Sequence, residues 1–439
     1  MDRSEFEQRL DEARQALVEG RVEDLRSSLE PTLHYVAKEP SAGDESGVST
    51  DERLRVVSLL QAAFRFGGVR DDFDRGLALC RPLADRIDEP EVAIHARATM
   101  ATYYVLSGEF RAMADVCDAA IELASATGVS ELPIVGMAHQ FRGYALYEWN
   151  RLNEAADALN HAWRLAPESR GIRSGTARMM ATVCTATGDY DGAATWLARL
   201  EEIVSEPMTL RNREWLDAVR ALHDGQGRPS LRSADGWAHR YGYPTFEGAD
   251  VPREEAASRL HEYDHLLTIL EATGQWQAML HVSDAVALGA SQTRRWYATR
   301  ALVARAVALE GLGRIDDALE VWCDALEAGR PEGYVRIYLD GTSKRRSLLR
   351  RSVNDARVGA LAVRLLAEGG ESEPDISPLT SRQLQVLHHV ETGLKNRDIA
   401  AAMSVSETTI KTHLRSVYAR LEVRSRTQAV AKARKLGLL

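Results

Sequence analysis

A stretch near the end of the 439-residue chain, VSETTIKTHLRSVYARLEV at residues 405 to 423, alternates apolar and polar side chains at helical spacing. Its apolar stripe comprises Ile410, Leu414, Val417 and Leu421. The opposite side carries cations and hydroxyls with no acid nearby, at Thr408, Lys411, Thr412 and Arg415. Lysine and arginine can reach guanine edges or phosphates, and threonine can meet a base or a thymine methyl. The spacing therefore predicts a helix whose polar face meets either solvent or a nucleic acid.

A second stretch whose residues could carry out chemistry is HEYDH at residues 261 to 265, which satisfies the zinc-binding pattern H-E-x-x-H. On a helix, His261 and His265 share a face, and Glu262 is placed to activate a zinc-bound water. No third ligand follows at a familiar spacing, and the neighbouring leucines are needed for packing. A zinc metallopeptidase is therefore the remote alternative. We expect no catalytic residue, no metal site and no cofactor.

Composition is typical of a globular protein, with 45% hydrophobic and 27% charged residues. The longest apolar runs are too short to span a membrane, and the charged start MDRSEFEQRLDEARQ does not resemble a signal peptide. The cysteines are widely separated and show no metal-binding spacing, at Cys80, Cys117, Cys184 and Cys323. These features predict a cytoplasmic protein with reduced thiols and no membrane partner.

The net charge of −9 is unevenly distributed. From Leu379 onward there are 11 Lys+Arg and 4 Asp+Glu, which gives +7. The first 378 residues hold the remaining 44 of 55 cations and 60 of 64 anions, which gives −16. An acidic body with a small basic end indicates that only the end meets a polyanion.

A small residue in a turn, followed two positions later by a large apolar residue, recurs along the body. The pairs are Gly20/Val22, Gly108/Phe110, Asn150/Leu152, Gly188/Tyr190, Gly274/Trp276 and Gly313/Ile315, and Gly68 and Gly227 fill the missing positions less cleanly. A period of about 40 residues with two helices per period predicts about eight hairpins. Each hairpin leaves an apolar face that the next one covers, so the hairpins should stack into a solenoid.

Two of these units match the positions that a tetratricopeptide repeat uses. The first has Gly143, Leu146, Ala155, Leu159, Ala162 and Pro167; the second has Ala306, Leu309, Gly313, Ala318, Trp322 and Ala325, with Pro331 one place late. Small residues at these positions allow the helices to approach closely, and the proline ends the second helix. We therefore predict an all-α fold, with a tetratricopeptide-like superhelix over residues 1–366.

Two segments interrupt the helical pattern. RPSLRSADGWAHRYGYPTFEGADVPREE at 228–255 is rich in glycine, proline and aromatic residues, and we interpret it as an inserted loop packed by its own rings, with ligand binding as the alternative. AEGGESEPDISP at 367–378 is predicted to be a flexible acidic linker. Beyond it, residues 379–439 form a separate small domain in this interpretation.

Capping signals in that last segment predict four helices, at 381–392, 396–403, 407–421 and 426–436. Thr380 with Gln383 and Ser425 with Gln428 form capping boxes, and Gly393 ends the first helix. Ser406 caps the third helix, with Glu407 on its first turn. The three-residue turn before that helix is typical of a helix-turn-helix over 396–415. Such a pair places its second helix in the major groove of DNA.

The segments LTSRQLQVL, GLKNRDIAAAM and VSETTIKTHLRSVYARLEVRSRTQAV resemble the LuxR-type (GerE-like) DNA-binding domain over its whole length. Three departures are Gln383 and Gln385, where the family usually has Glu, and Glu422, where it usually has Gly. The resemblance implies a double-stranded DNA partner and RNA polymerase as a further candidate partner.

The resemblance also implies which residues meet the DNA. The expected base-reading residues are Thr408, Lys411, Thr412 and Arg415. The expected phosphate contacts are Lys395, Asn396, Thr409, Arg420 and Arg424. A homodimer on DNA is expected through the last helix, using Thr427, Val430, Ala433 and Arg434.

The body, through RALVARAVALEGLGRIDDALEVWCDALEAGRPEGYVRIYLD and the loop around Trp237, resembles the helical sensor region of MalT-like and large ATP-binding LuxR regulators. Those regulators also carry an N-terminal ATPase, but no GxxxxGK[ST] occurs in this sequence, so it resembles their C-terminal half. The resemblance implies a transcriptional regulator whose repeats sense an unknown peptide, protein or small-molecule effector. A helical-repeat scaffold tethered to DNA is the alternative function.

Overall fold

The computed structural model describes residues 2–18, 21–36, 49–67, 70–204, 260–290, 294–370, 381–403, 405–421, 423–435 and 439. All regular structure in these ranges is helical, and no strand occurs among them, which confirms the all-α prediction. None of the described helices is both long and apolar enough to cross a membrane.

Within the described ranges, the body comprises helices α1 to α17. They are α1 Arg3–Val18, α2 Val22–Val36, α3 Thr50–Gly67, α4 Arg70–Ala84, α5 Pro90–Ser107, α6 Phe110–Thr127, α7 Pro133–Glu148, α8 Leu152–Leu165, α9 Arg170–Thr187, α10 Tyr190–Val204, α11 Leu260–Thr273, α12 Trp276–Ala290, α13 Arg295–Gly311, α14 Ile315–Gly329, α15 Arg336–Leu339, α16 Ser343–Ser352 and α17 Gly359–Glu368. The C-terminal domain contains α18 Ser381–Glu391, α19 Asn396–Ala402, α20 Glu407–Arg420 and α21 Arg426–Lys435.

The turn residues identified from the sequence adopt the left-handed backbone conformation. The φ angles are +81° at Gly108, +61° at Asn150, +78° at Gly188, +72° at Gly274 and +79° at Gly313. In each case the next helix begins at the large apolar residue two positions later, as in α6, α8, α10, α12 and α14. Glycine and asparagine tolerate positive φ, so the small residue at each turn has a backbone cause. Gly20, Gly68 and Gly227 lie outside the described residues.

Small residues also set how closely paired helices approach. A Cβ placed on Gly143 of α7 would lie 2.7 Å from Leu159 Cγ of α8, closer than real side chains come. The tetratricopeptide positions Leu146, Ala155, Leu159 and Ala162 are buried, as are Ala306, Leu309, Ala318, Trp322 and Ala325 of the second unit. Pro331 lies in a 3₁₀ turn, Arg330–Glu332, that follows α14 directly. The tetratricopeptide-like stacking is thus confirmed.

The chain after the last hairpin turns back towards much earlier hairpins. Tyr334 donates a hydrogen bond to the carbonyl of Gly108, and its ring meets Phe110 edge-on with centroids 5.6 Å apart. The Val335 N–H donates to the carbonyl of Glu148 at 3.0 Å. These contacts join parts of the chain about two hundred residues apart, which the repeat pattern did not predict.

The C-terminal helices have a core of their own. Its buried residues are Leu384, Val386, Leu387, Val390, Ile399, Ala400, Met403, Ile410, Leu414, Val417, Leu421, Ala429 and Ala433. All four cysteines are free and buried in the body, and burial raises the pKa of the Cys80 thiol to about 12. Burial raises the pKa of the Cys117, Cys184 and Cys323 thiols as well.

Several predicted boundaries differ from the structure. The segment predicted as linker from residue 367 begins inside α17, which continues to Glu368 because its last carbonyls bond to the Gly369 N–H. The first three C-terminal helices end one residue earlier than predicted, as is common at fraying ends, and the predicted end of the fourth lies outside the described residues. The predicted loop at 228–255 lies outside the described residues, and so do Thr380 and most of the predicted linker.

Candidate nucleic-acid interface

The turn between α19 and α20 is closed by a side-chain cap. Ser406 Oγ accepts a hydrogen bond from the Thr409 N–H at 3.1 Å, and its hydroxyl meets that of Thr409 at 2.8 Å. The N-cap predicted at Ser406 is therefore confirmed. At the end of α18, Gly393 has φ +85° and the Leu394 N–H reaches back to the His389 carbonyl at 3.2 Å, which confirms the predicted glycine stop.

The apolar stripe of α20 is fully used in packing. Ile410, Leu414, Val417 and Leu421 are all at most 5% exposed. Because these four side chains enter the core, the rotation of α20 about its axis is determined. The residues on the other side, Thr408, Lys411, Thr412 and Arg415, are all exposed. The sequence pattern therefore predicted correctly which face of this helix is free.

The exposed face carries one interaction that we had not expected. Lys411 Nζ lies 2.8 Å from Glu407 Oε1, one helical turn earlier, and this contact lowers the pKa of the Glu407 carboxyl. Our description of the polar face as having no acid nearby was wrong, although i,i+4 spacing would have indicated the pair. Thr412 donates its hydroxyl hydrogen bond to the Thr408 carbonyl at 3.1 Å. Arg415 forms no ion pair within the described part of the chain.

Two side chains of α18 hold the helix-turn-helix in place. Gln383 of α18 donates from Nε2 to Ser416 Oγ of α20 at 2.8 Å. Arg382 donates to the Met403 carbonyl at the start of the turn at 2.8 Å. A glutamate at position 383 could only accept from the serine, so the glutamine reverses the direction of this hydrogen bond.

Arg426 has a comparable structural role at the other end of the domain. Its guanidinium donates to the carbonyl of Val390, at 3.1 Å, and to that of Leu394. The predicted capping box at α21 also forms: Ser425 Oγ accepts from the Gln428 N–H at 3.2 Å. The reciprocal bond is shifted by one residue, because Gln428 Oε1 accepts from the Arg424 N–H at 3.0 Å.

The five residues expected to contact phosphates differ in how exposed their side chains are. Lys395 and Arg424 are exposed, and Asn396 is half-buried at the start of α19. Thr409 is half-buried and engaged with Ser406. The side chain of Arg420 lies outside the described part of the chain.

Comparison with known proteins matches both parts of this architecture. The family described as the MalT-like TPR region matches residues 75–355, which is more than half of the chain. The chain belongs to this MalT-like family. The family described as bacterial regulatory proteins, luxR family, matches residues 377–433, where the helix-turn-helix lies. A relative from Serratia proteamaculans (strain 568), the HTH-type transcriptional regulator MalT, is 24% identical over 387 residues. That alignment covers 81% of this chain but only 42% of the relative, so the chain spans less than half of the relative's length.

Part of the dimer surface expected in the luxR-family domain is not at the surface. Ala433 is fully buried in the domain core because α21 packs that side on α18. Arg434 Nε lies 2.9 Å from Glu391 Oε1 on α18, so it pairs within the domain. Thr427 is exposed and Val430 is half-buried. The prediction that Ala433 forms part of the dimer surface is therefore wrong.

The HEYDH segment of the MalT-like region lies at the start of α11. Tyr263 is fully buried, and Asp264 Oδ1 accepts from Arg300 Nε at 2.8 Å. Burial lowers the pKa of His265 to about 4. The side chains of His261 and Glu262 lie outside the described part. Among the side chains that are described, no group of three or more His, Cys, Asp or Glu could hold a metal ion.

Proposed function

We propose that the protein is a sequence-specific DNA-binding regulator of transcription. The observation that carries the proposal is the exposed face of α20, where Thr408, Lys411, Thr412 and Arg415 stand opposite a fully buried stripe. The Ser406 cap and the Gln383–Ser416 hydrogen bond hold this helix at its turn. A helix presented in this way can enter the major groove of double-stranded DNA.

Charged and polar groups around this face are proposed to supply the part of the affinity that does not depend on sequence. Lys395, Asn396, Thr409, Arg420 and Arg424 are the proposed phosphate contacts. A domain that neutralises roughly five to eight phosphates should lose affinity steeply as salt rises. The testing experiment is selection of bound sequences from a random DNA library with the full chain, followed by titration at several salt concentrations. Failure to enrich any sequence, with only salt-dependent background binding, contradicts sequence-specific recognition.

The helical-repeat body is proposed to sense an effector, which is a peptide, a protein or a small molecule. The relative's name, a transcriptional regulator, supports the link between such a body and a DNA-binding domain. One route to control is occlusion, since residues 1–378, with a charge of −16, attract a domain of charge +7. Its test compares the DNA affinity of the full chain with that of fragment 375–439 at equal salt. Equal affinities contradict occlusion and favour the alternative function, a scaffold tethered to DNA.

The remaining partners follow from the same proposal. A homodimer on DNA would use the free part of α21, around Thr427 and Val430, and sedimentation of the protein on its selected site tests this. RNA polymerase is a further proposed partner, and the cytoplasm is the proposed location. No catalytic role is assigned to HEYDH, because the ion pair of Asp264 and the buried His265 have a packing function.

A further inference from the structure

In the helical-repeat body, distant hairpins are in contact with each other, in addition to the stacking of neighbouring hairpins. In a simple solenoid each repeat contacts only its neighbours. Here residues 330–340 bond to the ends of α5 and α7, which lie 183 to 226 positions earlier in the chain. This connection needs an explanation of its own, because stacking of neighbouring hairpins does not require it.

Glu148, the last residue of α7, is at the centre of the connection. Its carboxyl Oε1 accepts from the Ile337 N–H at 2.9 Å, and Oε2 accepts from the Trp296 indole N–H at 3.2 Å. Its backbone carbonyl accepts from the Val335 N–H at 3.0 Å. One buried residue therefore binds both the start of α13 and the segment that leads into α15. Both carboxylate oxygens are used in contacts between distant parts of the chain.

Further hydrogen bonds surround this centre. The Trp149 indole N–H donates to the Glu332 carbonyl at 2.9 Å, and Glu332 Oε2 accepts from the Arg111 N–H at 3.1 Å. Arg111 Nε also donates to the Pro331 carbonyl at 2.7 Å. The donors and acceptors thus come from the first turn of α6, from the turn that follows α7 and from the segment after α14.

Asn150 shows that one hairpin turn is adapted to this connection. Asn150 is the non-glycine residue with positive φ in the described chain, whereas the equivalent turns use glycine. Its Nδ2 donates to the Glu368 carbonyl at 2.9 Å, and its Oδ1 accepts from Arg336 Nη1 at 3.1 Å. Glycine would serve the turn equally well. The asparagine side chain adds contacts to α15 and to the end of α17.

We propose that residues 330–340 are a clasp that closes the helical-repeat body, and that release of this clasp is the conformational step through which the body is regulated. The hydrogen bonds named above join different hairpins, so each hairpin should keep its own helix–helix packing when they break, with Tyr338 remaining against Trp322 and Ala325 of α14. A ligand that prefers one of the two states would shift the balance between them. The closure is inferred from contacts alone, whereas its regulatory role rests on the function proposed above.

Hydrogen–deuterium exchange of the full chain tests the closure through the substitution Asn150→Gly. Glycine retains the left-handed turn and removes both side-chain bonds of Asn150. Each such bond contributes a few-fold to a closing equilibrium, so the amides of Val335 and Ile337 should exchange about tenfold faster. Amides within α7 and α8 should keep their protection. The matched control is Gly188→Asn, which places an asparagine at an open turn where nothing lies within 4 Å.

Unchanged exchange at Val335 and Ile337 in Asn150→Gly would overturn the clasp. Uniformly faster exchange across the body would overturn it as well, because the two Asn150 bonds would then stabilise the whole fold and not the contact of residues 330–340 in particular. Trp149→Phe, which removes the bond to the Glu332 carbonyl, is an independent second variant. The regulatory role is tested by DNA affinity of the full chain: Asn150→Gly should change it several-fold, and an unchanged affinity would refute regulation. If the wild-type protein does not bind DNA, the proposed function is refuted, but the exchange result for the clasp still stands.

Discussion

Lys411 Nζ lies 2.8 Å from Glu407 Oε1 on the exposed face of α20. The lysine proposed to read a base is thus already paired with a carboxylate that would itself approach the DNA. Such a pair at the surface is weak and gives way when a stronger acceptor is offered. We therefore expect Glu407 to limit how readily Lys411 binds DNA of any sequence.

Replacing Glu407 by Gln should raise the affinity for random DNA several-fold and reduce the ratio between selected and random sequences. The substitution removes an anion from the DNA-facing surface and frees the lysine for phosphates. Competition titrations with the selected site and random duplex measure both quantities. Glu391→Gln is the matched control, since Glu391 pairs with Arg434 on α18 and α21. Equal effects of the two substitutions would mean that Glu407 does not face DNA.

Replacing Arg415 by Ala should cost about 1–3 kcal/mol in binding to the selected site and relax specificity at one position. The guanidinium is exposed and forms no ion pair within the described part of the chain. Affinity measured against a set of single-base variants of the site distinguishes the two possible roles. If all variants weaken equally, Arg415 contacts phosphate only. Arg434→Ala should leave the specificity profile unchanged.

The hairpin turns could be predicted because a left-handed backbone requires glycine or asparagine, and this requirement is visible in the sequence itself. The exposed face of α20 was predictable for a similar reason, since four apolar residues at helical spacing must be buried. The Lys411–Glu407 pair carried a local signal that we missed. Ala433 carried none, because a small apolar residue suits either a core or an interface.

The clasp could not have been predicted in this way. Its donors and acceptors are main-chain groups and single side chains, and their partners lie 183 to 226 residues away. Neither hydrophobic period nor capping pattern records such a pairing. The one residue with a visible signal was Asn150, an asparagine where the other turns have glycine, and that signal is interpretable only once the partners are known.

The close approach of α7 and α8 gives a stability prediction. Gly143→Ala should destabilise the protein by about 1–3 kcal/mol, because the new Cβ would lie 2.7 Å from Leu159 Cγ. Gly171→Ala is the matched control on α9, where nothing lies within 4 Å of the added atom. It should stabilise by about 0.4–1 kcal/mol through the unfolded chain. Urea unfolding measures both, and a harmless Gly143→Ala would contradict the tight helix pair.

Closure of the clasp should depend on pH through Glu148. Burial raises the pKa of this carboxyl to about 7 from an ordinary value of 4.5, although the Ile337 and Trp296 donors oppose the rise. The titratable and charged groups that face it are Asp340, Arg336, Tyr334, Tyr338 and Tyr147. Because the closed state binds the proton more tightly, this contribution to closure is fully present below about pH 4.5. It is lost as the pH rises through about 7.

Between about pH 6 and about pH 8 this difference amounts to about 1.4 kcal/mol, or roughly tenfold in the closing equilibrium. After correction for the intrinsic pH dependence of exchange, the amides of Val335 and Ile337 should therefore be less protected at the higher pH. Glu148→Gln, which cannot ionise, should abolish this dependence.

Thermal unfolding is a poor substitute for exchange at the clasp. Burial lowers the pKa values of His139 and His265 to about 4, so these residues destabilise the fold as the pH falls below about 6.5. Their effect has the opposite sign to that of Glu148, so only exchange at the clasp isolates the carboxyl. Protection that stays constant in wild type, or rises with pH, would contradict the assignment of Glu148 as the titrating group.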